Sequence, residues 1–134
     1  MPRTRMIEQL ADAVMAIRRP HPLRVGIDGA GAAGKTILAD ELAAALRDLG
    51  RPVIRAGVDG FHHPPEIRYR RGRNCVHGYY HDSFNYAAMQ QELLAPLGPS
   101  GDRWYRRAVY DFRVESPVDQ PRERADDQAV LLFE

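Results

Sequence analysis

The chain has 134 residues, and its 19 basic and 18 acidic side chains give a formal net charge of +1. This length suits one domain with its own core, and the near-neutral charge gives no reason to expect a nucleic acid or an acidic membrane as a partner. The single cysteine, Cys75, excludes an internal disulfide and fits the reducing cytoplasm, which is the expected location. No apolar run reaches transmembrane length.

The amino-terminal residues predict a helix followed by a strand. Thr4 can cap the helix, which should end near Arg18 and Arg19 because prolines follow at positions 20 and 22. Its apolar positions recur at helical spacing: Ile7, Leu10, Ala11, Val14 and Ile17. We expect this helix to cover a sheet whose first strand is the short apolar run 23–27.

The segment 29–36 reads G-x-x-x-x-G-K-T, the pattern of a phosphate-binding loop that opens a helix. Its residues are Gly29, Ala30, Gly31, Ala32, Ala33, Gly34, Lys35 and Thr36. Glycines let the backbone turn tightly, so that its N–H groups and the helix N-terminus can bind anionic oxygens. In this pattern the lysine reaches the β- and γ-phosphates of ATP, and the threonine hydroxyl binds Mg²⁺.

The surroundings of this segment favour the phosphate loop over the alternative G-x-G-x-x-G dinucleotide fingerprint, which it also matches. The Lys-Thr pair follows at once, and apolar residues then recur at helical spacing until Gly50: Leu38, Leu42, Ala45, Leu46 and Leu49. Lys35 is the only lysine among the 19 basic side chains. Its use here indicates a site that needs a compact ammonium group, which a planar guanidinium cannot replace.

A second strand is predicted over 52–58, and the order strand, helix, strand favours an α/β fold with a parallel sheet. Ligands of such sheets gather at the carboxyl ends of the strands. Asp59, Phe61 and His62 follow the second strand, so we expect them on the same rim as the phosphate loop, with Phe61 and His62 contacting the substrate. Asp59 is a candidate proton acceptor in phosphoryl transfer; the alternative is a turn residue before Gly60.

The polar segment 60–82 is predicted to lack regular structure, and a loop of this length is usually functional or mobile. Its arginines are Arg68, Arg70, Arg71 and Arg73. They either bind phosphate or nucleic acid, or form a solvated basic loop, and the sequence leaves both interpretations open. Cys75, His77 and His81 offer a zinc site as a further alternative, although their spacing matches no common structural zinc pattern.

The remaining elements lead to a second acidic position. Asp82 and Ser83 are predicted to cap a helix whose apolar side chains are Tyr86, Met89 and Leu93. Segment 104–112 should be extended and can form part of a β-hairpin, and segment 116–128 should be a loop. Segment 129–133 reads as a buried strand that ends at Glu134. An apolar strand that ends in a carboxylate is typical of the position that helps organise Mg²⁺ in phosphate-loop proteins.

Five motifs in this order make the chain similar to the uridine kinase-like phosphate-loop kinases, whose relatives include phosphoribulokinase and bacterial pantothenate kinase. The motifs are GAGAAGKT, VDGFHHP, YYHDSFNY, AVYDF and VLLFE. The resemblance implies a catalytic base at Asp59, and it implies that Asp82 contacts sugar hydroxyls of the acceptor. It further implies that Tyr110 lines a nucleobase pocket and that Glu134 helps to hold Mg²⁺.

The resemblance implies an ATP- and Mg²⁺-dependent kinase that phosphorylates a hydroxyl of a small molecule such as the nucleoside uridine. One departure concerns the acceptor, because nucleoside-specific members carry a histidine shortly after Y-D-F where this chain has Arg113, Val114 and Glu115. The alternatives are a phosphate-loop ATPase or switch that binds a partner, and an inactive kinase fragment. No nucleic-acid or membrane partner is expected.

The resemblance also implies that residues 1–134 are the amino-terminal portion of a single kinase domain that lacks its lid and later strands. One edge of the strand at 23–27 should then be exposed. An unpaired strand edge is a template for association, so we expect the isolated chain to form homo-oligomers and to be catalytically inactive.

Overall fold

A computed structural model of the protein describes residues 2–28 and 32–134. The helices are α1 (Pro2–Ala16), α2 (Ala32–Asp48), α3 (Pro65–Arg68), α4 (Val76–Asp82) and α5 (Tyr86–Met89), with a 3₁₀ turn at Val58–Phe61 and a π turn at Gln90–Leu94. The strands are β1 (Leu23–Gly26), β2 (Val53–Ala56), β3 (Trp104–Tyr105), β4 (Tyr110–Asp111), β5 (Ser116–Pro117), β6 (Glu123–Arg124) and β7 (Val130–Phe133).

Strands β1, β7 and β2 form a parallel sheet in that order, so the last strand of the chain lies between the first two. Leu23 of β1 and Val53 of β2 both lie opposite Val130 of β7. This sheet confirms the prediction of an α/β fold with parallel strands. Within the described residues β1 has a strand partner on one side only.

The alternating side chains of β7 hold together two apolar clusters, one on each face of the sheet. Val130 and Leu132 pack with α1 and α2, while Leu131 packs on the opposite face with Ile54 and Phe61. All three β7 side chains are fully buried. A strand that is apolar at every position suits a parallel sheet covered on both faces.

The two long helices form where the sequence predicts them, but the cap and the buried face of α1 differ from the prediction. Helix α1 already includes Thr4, so this residue is not its cap. Leu10 and Ile17 remain 38% and 39% exposed, because the buried stripe that meets α2 is narrower than the predicted apolar face. Helix α2 ends at Asp48, and Gly50 follows with φ +84°, a left-handed conformation that glycine adopts without strain.

The prediction of an irregular segment over 60–82 was wrong, since α3 and α4 both lie within it. The predicted cap at Asp82 was also wrong: Asp82 is the last residue of α4, and the cap of α5 is Asn85, whose Oδ1 accepts a 3.0 Å hydrogen bond from the Ala88 N–H. The Asp82 carboxylate instead contacts arginines. Asp82 ends α4 and does not directly precede the first turn of α5, which is the position of a cap.

Two small antiparallel ribbons occupy the segment between the π turn and β7. Strand β3 pairs with β6, and β4 pairs with β5. The prediction that segment 104–112 is extended is therefore confirmed in part. The prediction of a loop over 116–128 is wrong in part, because β5 and β6 lie within it. The hydrogen bond from the Val109 N–H to the Gly60 carbonyl (2.8 Å) ties this region to the end of β2. Among the described residues, no helix has the length and apolarity needed to cross a membrane.

Replacing Leu131 with alanine should lower the free energy of unfolding by about 2–5 kcal/mol, because a fully buried side chain between two packed layers would leave a cavity. Val114→Ala is the matched control, since Val114 is 69% exposed, and it should change stability by less than about 0.5 kcal/mol. Urea denaturation of both variants measures the difference. Equal effects would contradict the assignment of Leu131 to the centre of the core.

Candidate functional site

Thr36 and Glu134, the two predicted Mg²⁺ ligands, meet at the carboxyl end of the sheet. The Thr36 hydroxyl Oγ1 donates a 2.9 Å hydrogen bond to Oε1 of Glu134, although 98 residues separate them. Thr36 lies in the first turns of α2, and Glu134 directly follows β7. The parallel pairing of β1 with β7 brings the segments that follow these two strands together.

The second carboxylate oxygen of Glu134 is buried and has no hydrogen-bond partner among the described residues. Nη2 of Arg55 lies 3.8 Å from it, and Nη1 of the same guanidinium contacts Oδ1 of Asp40 at 2.6 Å. Sequence reasoning did not identify Arg55. The only available signal was its place as a charged residue within an otherwise apolar strand.

The backbone around Glu134 is packed tightly against the end of β2. The Val58 N–H donates to the Glu134 carbonyl oxygen at 3.0 Å, and the Glu134 N–H donates to the Ala56 carbonyl at 3.2 Å. A Cβ atom at Gly57 would lie 2.8 Å from the Glu134 carbonyl oxygen, which is closer than real Cβ contacts. Position 57 therefore requires glycine for steric reasons, and the sequence analysis missed this requirement.

A cavity of about 400 Å³, here called the Lys35 cavity, opens at the ends of β1 and β7. Its lining includes Asp28, Lys35, Val58 and Glu134. Gly29, Ala30 and Gly31 of the predicted phosphate loop lie outside the described residues. Of the others, Gly34 is a described residue of α2, and Ala32 and Ala33 begin that helix.

Asp59 and His62 lie in and just after the 3₁₀ turn that follows β2. The Asp59 side chain is 72% exposed, and one carboxylate oxygen lies 3.5 Å from Nε2 of His62. The imidazole is held between the rings of Phe84 and Phe112, with centroid distances of 4.8 and 4.4 Å. Both ring nitrogens are buried and have no hydrogen-bond partner within the described part of the chain.

A second cavity of about 560 Å³, here called the Tyr110 cavity, has a polar lining that includes His62, Glu66, Asn85, Glu92, Tyr110 and Glu115. Tyr110 is only 8% exposed. Burial raises the pKa of its hydroxyl, and the charge and hydrogen bond of Glu115 raise it further. The phenol therefore stays protonated at neutral pH and can donate a hydrogen bond.

Arg68 and Glu115 form an ion pair beside this cavity that sequence reasoning missed. Nη1 donates to Oε1 at 2.9 Å and Nη2 donates to Oε2 at 2.5 Å, which is the bidentate geometry of strong pairs. This hydrogen bonding holds the pKa of the Glu115 carboxyl below its usual value. Glu115 has φ +52°, uncommon for a residue other than glycine, and no sequence signal indicated it.

Asp82, predicted to contact the acceptor, is completely buried and lies against two arginines. Nη2 of Arg70 donates to Oδ1 at 2.6 Å, and Nε of Arg71 lies 3.2 Å from Oδ2. The hydrogen bond from Arg70 lowers the pKa of the carboxyl. The structure thus places Asp82 in an ion-pair cluster with arginines from the segment whose role the sequence left open.

The position of Phe61 corrects its predicted role as a substrate contact. Its side chain is fully buried and belongs to the core cluster with Ile54 and Leu131. The 3₁₀ turn points this ring inward, while the neighbouring His62 lines the Tyr110 cavity. A buried ring in the core can support the rim by packing but cannot touch a ligand.

The oxygen atoms at Thr36 and Glu134 fit a magnesium ion. Mg²⁺ prefers oxygen ligands and commonly uses one or two protein groups while it keeps several waters. The unpartnered Oε2 of Glu134 supplies an acceptor of this kind. The described residues contain no group of three or more His, Cys, Asp or Glu side chains that could hold a metal, so the zinc alternative at Cys75, His77 and His81 gains no support.

These features define an α/β protein with a parallel sheet and a polar rim at the carboxyl ends of its strands. The fold is similar to that of a possible uridine kinase from Bacillus stearothermophilus, whose solved structure aligns with a TM-score of 0.81. The two sequences are 22% identical, and the alignment covers 100% of this chain and 72% of that chain. No protein-family model and no curated protein sequence matches the chain. At this identity, the likeness establishes a shared fold.

The low pKa of Asp82 predicts a pH-dependent contribution to stability. The folded protein binds this proton less tightly than the unfolded chain, so the contribution is complete above the unfolded pKa of about 3.8 and is lost as pH falls through the lower folded value. Arg70→Gln should therefore destabilise the protein at pH 7 and have a smaller effect near pH 3. Urea denaturation at both pH values tests this, with Arg19→Gln at an exposed position as the control.

Proposed function

We propose that this protein is an ATP- and Mg²⁺-dependent phosphotransferase that moves the γ-phosphate to a hydroxyl of a small molecule, with a nucleoside such as uridine as the acceptor. The hydrogen bond between Thr36 and Glu134 carries the proposal. It joins the threonine of a G-K-T motif to the carboxylate at the end of the neighbouring strand. A phosphate-loop kinase needs these two oxygen ligands at one point.

The Lys35 cavity is the proposed site of the ATP phosphates. ATP supplies the phosphoryl group, and bound Mg²⁺ neutralises charge that develops on it during transfer. The ammonium group of Lys35 provides a positive charge at the cavity wall, where it can hold the terminal phosphates. Glu134 lines the same cavity, and its carboxylate accepts the hydrogen bond from the Thr36 hydroxyl.

Asp59 is the proposed proton acceptor for the attacking hydroxyl. It follows Val58, which lines the Lys35 cavity, and precedes His62, which lines the Tyr110 cavity. Asp59 lies between these two residues in the sequence, and the proposal assigns to it the hydroxyl proton that is released as the oxygen attacks phosphorus. Its 72% exposure leaves it accessible to a bound acceptor.

The Tyr110 cavity is the proposed acceptor site. Its volume of about 560 Å³ falls within the usual range for small-molecule pockets. Tyr110 supplies an aromatic wall, and His62 supplies ring nitrogens that need hydrogen-bond partners. Asp82 is held by Arg70 and Arg71, and any contact with acceptor hydroxyls requires these arginines to move.

The ion pairs also bear on the partners of this protein. Arg68, Arg70 and Arg71 contact the carboxylates of Glu115 and Asp82 within the same chain. Arginines that are neutralised in this way attract nucleic acid less strongly than free ones. We therefore infer that the basic segment stabilises the rim and that the partner is a small molecule.

Lys35→Ala should reduce ATP-dependent transfer by about 100-fold or more, because the positive charge at the phosphates is lost. Lys35→Arg should also fail, since a planar guanidinium cannot take the place of a compact ammonium. Ile37→Ala is the control, because Ile37 is 51% exposed on the same helix. Transfer of labelled phosphate to nucleosides is the measurement, and unchanged turnover in both lysine variants would remove the phosphate-loop assignment.

Asp59→Asn should lower kcat by about 10²- to 10⁴-fold and leave ATP affinity unchanged, because the carboxylate acts on the acceptor. Asp119→Asn, another exposed aspartate, should behave as the wild type. Steady-state kinetics and ATP titration of both variants separate these effects. Weak ATP binding with a normal rate would show that Asp59 holds the nucleotide or the metal instead.

A further inference from the structure

The charged side chains that line the Tyr110 cavity are all acidic. Its lining contains the carboxylates of Glu66, Glu92 and Glu115 and, among the described residues, no arginine or lysine. This is notable in a chain with 19 basic side chains. The arginines that pair with two of these carboxylates contact them from outside the lining: Arg68 binds Glu115, and Arg122 binds Glu92.

Glu66 is the carboxylate that remains uncompensated. It lies in the first turn of α3, is exposed, and has no hydrogen bond or ion pair within the described part of the chain. Its charge reaches Tyr110 across the cavity, because it contributes to the raised pKa of that hydroxyl. A ligand in the cavity therefore meets one negative charge that no neighbouring cation cancels.

Some hydrogen-bonding groups of the cavity lining have no partner within the described residues. Both ring nitrogens of His62 are buried and have no hydrogen-bond partner within the described residues, although Oδ1 of Asp59 lies 3.5 Å from Nε2, whereas Oδ1 of Asn85 already accepts from the Ala88 N–H. The remaining free capacity of Glu66 and Glu115 is only for accepting hydrogen bonds, since ionised carboxylates cannot donate. The carboxylates of Glu66 and Glu115 therefore suit a ligand that brings N–H donors.

We propose that the Tyr110 cavity prefers acceptor molecules that carry a cationic amine over neutral ones such as uridine, and that it discriminates against acceptors that carry phosphate or carboxylate, with Glu66 as the specificity-determining residue. The inference rests on the proposed phosphotransfer, which makes this cavity the acceptor site. A cationic amine would face Glu66 and donate to the carboxylate. An anionic group would face like charge without a compensating cation, which is how binding sites reject the wrong ligand.

Three nucleosides that differ at one position test the proposal: 5-aminomethyluridine is cationic, 5-hydroxymethyluridine is neutral and 5-carboxyuridine is anionic. Calorimetric titration of the protein without ATP should give the affinity order cation, neutral, anion, with at least about a tenfold difference between the extremes. The difference should narrow at high salt, because Glu66 is exposed. Equal affinities, tighter binding of the anion, or no binding of any member would overturn the proposal.

Two variants of Glu66 and one control show whether this residue causes the order. Glu66→Gln should remove most of the preference, and Glu66→Lys should reverse it, whereas Glu8→Gln on the exposed face of α1 should leave it unchanged. If the Glu66→Lys variant still binds the cationic nucleoside more tightly than the anionic one, the role of Glu66 is overturned. Affinities in the expected order without phosphate transfer would refute the kinase function alone, and transfer without a charge order would refute this inference alone.

Discussion

The parallel pairing of β7 between β1 and β2 is the constraint on which the site depends. It places the last residue of the chain, Glu134, beside the helix that follows the first strand. The same pairing buries Val130, Leu131 and Leu132 and joins the two apolar clusters. Core packing and site geometry are therefore not independent, because a shift of β7 by one residue would turn its side chains to the opposite faces and move the carboxylate away from Thr36.

Carboxylate–arginine pairs organise the rest of the rim. Each joins distant segments: Arg55 lies near Glu134, Arg68 binds Glu115, and Arg70 binds the buried Asp82. A buried carboxylate is costly unless cations and hydrogen bonds compensate it, so the arginines of segment 60–82 permit this burial. Three of the four arginines in this segment are counter-charges of Glu115 and Asp82.

The short segment that follows β2 connects the two cavities. Val58 lines the Lys35 cavity, His62 lines the Tyr110 cavity, and Asp59 lies between them on one 3₁₀ turn. The close approach of Gly57 to the Glu134 backbone fixes the start of this turn. Movement of β2 would thus shift the proposed metal ligands and the proposed base together.

The sequence by itself determined the parallel α/β class and the three strands of its sheet, and it named Thr36 and Glu134 as separate candidates for one rim, because glycine spacing and apolar periodicity are local signals. Only the tertiary structure decided which charged groups are free. Asp82 was expected to meet a ligand and is held by arginines, and Phe61 was expected on the rim and lies in the core. Whether a carboxylate finds a cation, or a ring finds the core, depends on contacts between segments far apart in the chain, and no local pattern records them.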